Sequence, residues 1–182
     1  MAEANPGKRI RLYFQDEARV GQKGRLCHRW WKKGARPPGV ADQRYDWTYI
    51  FAAVEPTTGS SFALVLPTVS AKIMVRFLEE FAKTLATDEH AVIVLDGAGW
   101  HSIAPDRIPE SITLVHQPPY SPECNPIERV WLFLRERFLS LQVWPDRGAI
   151  IQACCNAWNA LVDEPGRFQT LCLQPWVRKV TS

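Results

Sequence analysis

Five consecutive apolar residues, Ala91-Val-Ile-Val-Leu95, stop at Asp96. A run without polar alternation reads as a strand buried on both faces. Such a strand needs helices above and below its sheet, which confines the chain to an α/β architecture. The neighbouring segments agree. Residues 9–15 alternate as a strand, and 45–54 and 60–66 read as two more, joined by the turn Pro56-Thr-Thr-Gly59. These three make an antiparallel meander. Ser70 reads as an N-cap, and Ile73, Phe77, Leu78, Phe81 and Leu85 recur at helical spacing, so 70–86 is expected as a helix. Strand, helix and the apolar run then form a crossover with parallel pairing. Residues 112–115 supply a further strand.

After the rigid Pro118-Pro-Tyr-Ser-Pro122, Asn125 is expected to cap a helix with Pro126 in its first position. Its buried stripe would be Ile127, Val130, Trp131, Leu134, Phe138 and Leu141. A second helix opens at Pro145-Asp146 and turns Ile150, Ile151, Cys154, Trp158 and Leu161 inward. The expected organisation is a lead over 1–8, one domain over 9–165 with a basic insertion at 17–44, and a tail over 166–182 with one short helix. The fold class is a mixed sheet, three antiparallel strands and then parallel ones, with helices on both faces.

A chain of 182 residues, 46% hydrophobic and 23% charged, can bury a proper core and is not a disordered composition. The five cysteines are odd in number and lack zinc-ligand spacing, so they read as reduced thiols filling the interior. No apolar leader opens the chain, and no apolar run approaches the roughly 20 residues of a membrane span. A cytoplasmic protein acting away from membranes is expected.

Acids at the ends of apolar runs are unusual, because a carboxylate there is half-buried. Asp16 ends Arg11-Leu-Tyr-Phe-Gln-Asp16, and Asp96 ends the central run. If their strands are parallel neighbours, the two carboxylates lie side by side. Glu128 sits on the shoulder of the Asn125-Pro126 helix, about 100° from its buried stripe, and Arg135 shares that shoulder. Each acid also has a plainer reading: a surface acid, an Asp-Gly turn, and a capping box with Asn125. Together they suggest carboxylates sharing hard divalent cations, the equipment of two-metal phosphodiester chemistry. Glu123 is the rival third acid. Glu17, next to Asp16, must point to the opposite face.

The segment 23–36 holds Lys23, Arg25, Arg29, Lys32, Lys33 and Arg36, no acid, and the pair Trp30-Trp31. Uncompensated cations interleaved with aromatics fit a nucleic-acid surface. His101, near Asp96, is a candidate phosphate contact, as is Arg135.

These residues resemble the catalytic domain of mariner-type transposases, in particular the bacterial insertion-sequence branch. The resemblance is carried by Phe14-Gln-Asp16-Glu17, Trp31-Lys-Lys-Gly34-Ala-Arg-Pro37, Leu95-Asp96-Gly-Ala-Gly-Trp-His101 and Pro118-Pro-Tyr-Ser-Pro-Glu-Cys-Asn125-Pro-Ile-Glu128-Arg-Val-Trp131. It implies a ribonuclease H-like fold and an Asp-Asp-Glu triad of Asp16, Asp96 and Glu128 holding two Mg²⁺ or Mn²⁺ ions. Asp16 would bridge both ions, and the partners would be transposon ends and target DNA, engaged as a homodimer. Two features depart from the family: Gly97 follows the second Asp where many members have Asn, and the Asp96–Glu128 interval is short. No helix-turn-helix precedes residue 9, so the expectation is the C-terminal half of a split or truncated transposase, its helix-turn-helix half encoded separately or lost. The alternatives are a decayed or domesticated DNA-binding remnant, or a structure-selective nuclease on the same fold.

Overall fold

The computed structural model describes residues 6–22, 30–36, 44–119 and 121–181. Five strands form one sheet: β1 Arg9–Gly21, β2 Trp47–Val54, β3 Ser61–Leu66, β4 Glu89–Leu95 and β5 Ile112–His116. Their spatial order is β3-β2-β1-β4-β5. β1 pairs antiparallel with β2 and parallel with β4, and β4 pairs parallel with β5. The meander and the crossover therefore lie as the sequence pattern implies. Gly59 closes the β2–β3 turn at φ 77°, a left-handed conformation that glycine adopts without strain.

One helix covers the first face. It is α1, Ala71–Ala82, with Ser70 Oγ accepting from the Ile73 N–H. It buries Met74, Phe77, Leu78 and Phe81 against Tyr13, Phe51, Ala53, Ile93 and Leu95. The other face carries α2 Glu128–Leu134, α3 Arg147–Val162 and α4 Arg167–Cys172 over Ile50, Ala52 and Val54. A fifth helix, α5 Pro175–Thr181, sets Trp176 edge-on to Phe14. Odd-numbered residues of β1 thus look to α1 and even-numbered ones to α2–α5, as a period of two demands.

Several boundaries differ from the sequence expectation. β1 does not stop at residue 15 but runs to Gly21 as a long hairpin arm with β2, so the basic insertion begins later than 17. Asp16 is therefore inside a strand, paired with Ala52; what ends near it is the contact with β4, last paired at Phe14–Val94. α1 ends at Ala82 rather than 86.

After α2 the chain takes a π-helical turn, Arg135–Leu139. The wider turn shifts the stripe by a residue, so Leu139 is buried in place of Phe138, and Leu141 faces solvent. Ile151 is also exposed; Ala157 takes an inward place in α3. The tail holds two helices rather than one, and Phe168, Cys172 and Val177 are buried. Burial pushes the Cys154 and Cys172 thiols up to about 12, which suits inert core filler.

At the amino-terminal ends of the parallel strands, Arg9 and Arg11 pair with Glu89, and Arg11 also with Glu55. The opposite, carboxyl ends are where ligands bind in sheets of this kind. Asp16 and Asp96 lie there.

Candidate active site

A cleft of about 780 Å³ opens beside the carboxyl end of the β1–β4 pairing. Asp16, Arg19, Trp47, Glu128, Trp131 and Arg135 are among its walls. β1 supplies Asp16 from its even face. α2 supplies Glu128 from its first turn, and Arg135, seven residues on, shares the same cleft.

The Asn125–Trp131 segment is tied to β1 at two consecutive residues. Asn125 Nδ2 donates to the Gln15 carbonyl at 2.9 Å. Trp131 Nε1 donates to Asp16 Oδ2 at 2.9 Å. Asn125 Oδ1 also accepts from the Ile127 N–H at 3.3 Å, and the first turn is tight, with the Glu128 N–H reaching Asn125 O. Regular α-helix begins only at Glu128. Glu128 is exposed and, among the described residues, makes no capping bond back to Asn125. The capping-box reading therefore has no geometric support.

Asp16 is the strained charge. Burial, reinforced by the charges of Glu128 and Glu17, pushes its carboxyl up to about 7. The Trp131 bond and the Glu17 backbone N–H oppose that rise without cancelling it.

Asp96 sits one residue past β4. The β1–β4 register pairs residues 80 apart, from Arg9 with Glu89 to Phe14 with Val94, so Asp16 and Asp96 each follow the last β1–β4 pair by two residues. Its Oδ1 accepts from the Ala98 N–H at 2.9 Å and lies 2.7 Å from His101 Nδ1. The side chain is 54% exposed. Among the described residues no three Asp, Glu, His or Cys side chains are gathered closely enough to hold an ion. Asp16 and Glu128 thus share a common cleft, while Asp96 is engaged toward His101.

His101 does not face the cleft as a phosphate contact would. Its ring is 1% exposed, because the turn Gly99–His101 folds back over β1. Its Nε2 lies 3.1 Å from Glu17 Oε1. Burial alone would lower its pKa, but the Glu17 hydrogen bond and charge, with Asp96 behind them, raise it overall. Glu17 also accepts from Trp100 Nε1 at 3.1 Å and Gln15 Nε2 at 2.8 Å.

Of the remaining candidates, Lys32, Lys33 and Arg36 are exposed, as are Trp30 and Trp31. Lys23, Arg25 and Arg29 lie outside the described residues. Glu123 is exposed on a separate turn, Pro122–Cys124, away from the cleft walls. The anchoring roles of Trp131 and Asn125 were hidden in the sequence by their places in a buried stripe and a cap. The spacing of Glu128 and Trp131, three apart on a helix and so on one side, is the signal that could have linked them.

Residues 11–151 match the family model described as DDE superfamily endonuclease. The uncharacterized protein y4pE/y4sA of Sinorhizobium fredii (strain NBRC 101917 / NGR234) is 41% identical over 133 residues, covering 73% of this chain and 98% of that one. Among solved structures, the Mos1 mariner paired end complex with Mn is similar with a TM-score of 0.62 at 14% identity, over 87% of this chain and 50% of that one. The catalytic core domain of BIV integrase is similar with a TM-score of 0.52 at 17% identity, over 86% of each chain. The sheet and its helices therefore have the ribonuclease H-like fold. The chain spans about half the length of the Mos1 chain it matches.

Proposed function

The chain belongs to the DDE superfamily endonucleases, and from that premise we propose that it is the catalytic domain of a transposase. It would cut DNA at transposon ends and join them to a target, with Asp16, Asp96 and Glu128 as the acids of its centre. One observation carries this reading: Asp16 and Glu128 meet in a single cleft, and Asp16 is held there with its carboxyl pushed up to about 7. Such a pair is poorly placed without a cation and well placed with one.

All-oxygen donors suit Mg²⁺ or Mn²⁺. Asp16 would be the shared ligand, since it lines the same cleft as Glu128 and its strand pairs in parallel with the one that Asp96 follows. When bound, two such ions supply the charge that activates the attacking hydroxyl and steadies the departing oxygen. The chain's own part is positional. Trp131 fixes one oxygen of Asp16, and Asn125 fastens α2 to the same stretch of β1. Arg135 lines the same cleft and would take a DNA phosphate. The exposed Lys32, Lys33 and Arg36 would add contacts to the backbone that carry no sequence information. The nucleophile would be water during cleavage and a DNA 3′-hydroxyl during joining. A homodimer on DNA and a separate end-recognition module complete the proposal.

Supercoiled plasmid tests it. The chain should nick in Mg²⁺ or Mn²⁺ and not in EDTA, and Asp16→Asn or Glu128→Gln should lower the rate by orders of magnitude. Equal nicking by wild type and both variants would remove the centre from this cleft. DNA binding without any metal-dependent nicking would favour the decayed-remnant alternative.

A further inference from the structure

Glu17 borders the cleft beside Asp16, but its carboxylate is bonded toward the turn Gly99–His101, and it is not an idle surface acid. Its side chain is 5% exposed and gathers three donors, from Gln15, Trp100 and His101. A carboxylate this buried is tolerated only with such partners, and a satisfied buried polar network rigidifies the groups it joins. What it holds is the His101 ring, 1% exposed and clamped at Nε2, 3.1 Å from Glu17 Oε1. The other nitrogen, Nδ1, lies 2.7 Å from Asp96 Oδ1 and 3.0 Å from the Asp96 carbonyl oxygen. Asp96 Oδ1 is thus held by the Ala98 N–H and lies against His101 Nδ1, whose hydrogen bond runs to the Asp96 carbonyl oxygen. Its Oδ2 takes no hydrogen bond from the described residues, and the side chain remains 54% exposed.

We propose that Glu17 and His101 form a buried positioning pair for Asp96. Glu17 sets the ring, the ring sets Oδ1, and Oδ2 is left for a cation. The pair reaches Asp96 from the α1 face, while Trp131 reaches Asp16 from the α2 face. The inference rests on the proposed role of Asp96 as a metal ligand. It differs from a purely structural role, which would change melting and leave the folded protein's ion affinity alone.

The test uses the full chain and Mn²⁺, with free Mn²⁺ read by electron paramagnetic resonance beside thermal melting. In His101→Asn the amide nitrogen stands near the place of Nδ1 and can still donate to Asp96. In His101→Gln it stands near the place of Nε2 and reaches Glu17 instead. Supporting partners of metal ligands are typically worth about 10–100-fold in affinity. His101→Gln should lose about 10-fold or more in Mn²⁺ affinity, and His101→Asn should stay within about threefold of wild type. Glu17→Gln, which keeps the shape and one acceptor, gives a second arm and should lose affinity several-fold should His101→Gln fail to fold. The pair is refuted by wild-type affinity in both His101→Gln and Glu17→Gln, or by equal losses in the two His101 variants. Asp16→Asn separates this from the larger reading. If it binds Mn²⁺ like wild type, the proposed centre itself fails. If it loses Mn²⁺ while the His101 and Glu17 variants do not, only the positioning pair falls.

Discussion

Asp16 and Glu17 are adjacent acids on one strand, and the sheet sends them into opposite surroundings. Asp16 enters the α2 side with the Trp131 indole N–H and the Glu17 backbone N–H for partners and the charge of Glu128 nearby, and burial still pushes its carboxyl up to about 7. Glu17 enters the α1 side and receives three donors. The first is a charge left in want of a cation, and the second is a charge already satisfied. Chemical type alone would not separate them; the period of the strand and the helices above and below do. The lesson is that a candidate functional acid is separated from a structural one by what its environment fails to supply.

The widest gap between the two should appear on neutralisation. Asp16→Asn should abolish metal-dependent nicking and leave the metal-free fold as stable as wild type or more so, since it removes a poorly solvated charge. Glu17→Ala should do the reverse first: the buried Gln15 and His101 and the half-buried Trp100 lose their acceptor, at a cost of roughly 3 kcal/mol in denaturant unfolding. An Asp16→Asn protein that unfolds more easily than Glu17→Ala would invert the comparison.

The pH dependence sharpens it. Asp16 has a folded pKa of about 7 against an ordinary value of 3.8. The folded state therefore holds an extra proton between those values, and metal-free protein should lose stability as pH rises through that window. His101, raised by Glu17 and Asp96, contributes stability present below the ordinary histidine range and lost above it. Unfolding in EDTA from about pH 4 to 8 should show a falling stability whose lower part disappears in Asp16→Asn. An unchanged slope in that variant would contradict the environment assigned to Asp16.

A smaller effect is expected at Trp131. Trp131→Phe removes the donor to Asp16 together with part of the buried indole's packing, which should cost roughly 2 kcal/mol and move the Asp16 carboxyl still higher. The smallest concerns Glu128, whose replacement by Ala should change melting by no more than about 0.5 kcal/mol, because it forms no cap. A loss near 1 kcal/mol would restore the capping reading.

The mixed sheet was legible in the sequence because alternation and unbroken apolar runs are local signals. Asp16 and Asp96 stood out for the same reason, as acids where apolar runs stop. What stayed hidden was long-range. The Trp131–Asp16 bond joins residues 115 apart, and the His101–Glu17 bond residues 84 apart, so neither leaves a local pattern. His101 was readable as a lone histidine near an acid, and only the folded turn Gly99–His101 reveals that it is buried. The π-helical turn also escaped, since Arg135–Leu139 has the composition of an ordinary helix. That turn moved the inward position from Phe138 to Leu139.

The central claim is that cations belong on the Asp16 side of β1 and not on the Glu17 side. Anomalous diffraction from crystals grown in Mn²⁺ tests it directly. The account predicts peaks in the cleft, about 3.5–4 Å apart, bounded by Asp16, Asp96 and Glu128, with Glu17 still bonded to His101. An empty cleft at saturating Mn²⁺, or an ion lodged between Glu17 and His101, would contradict it.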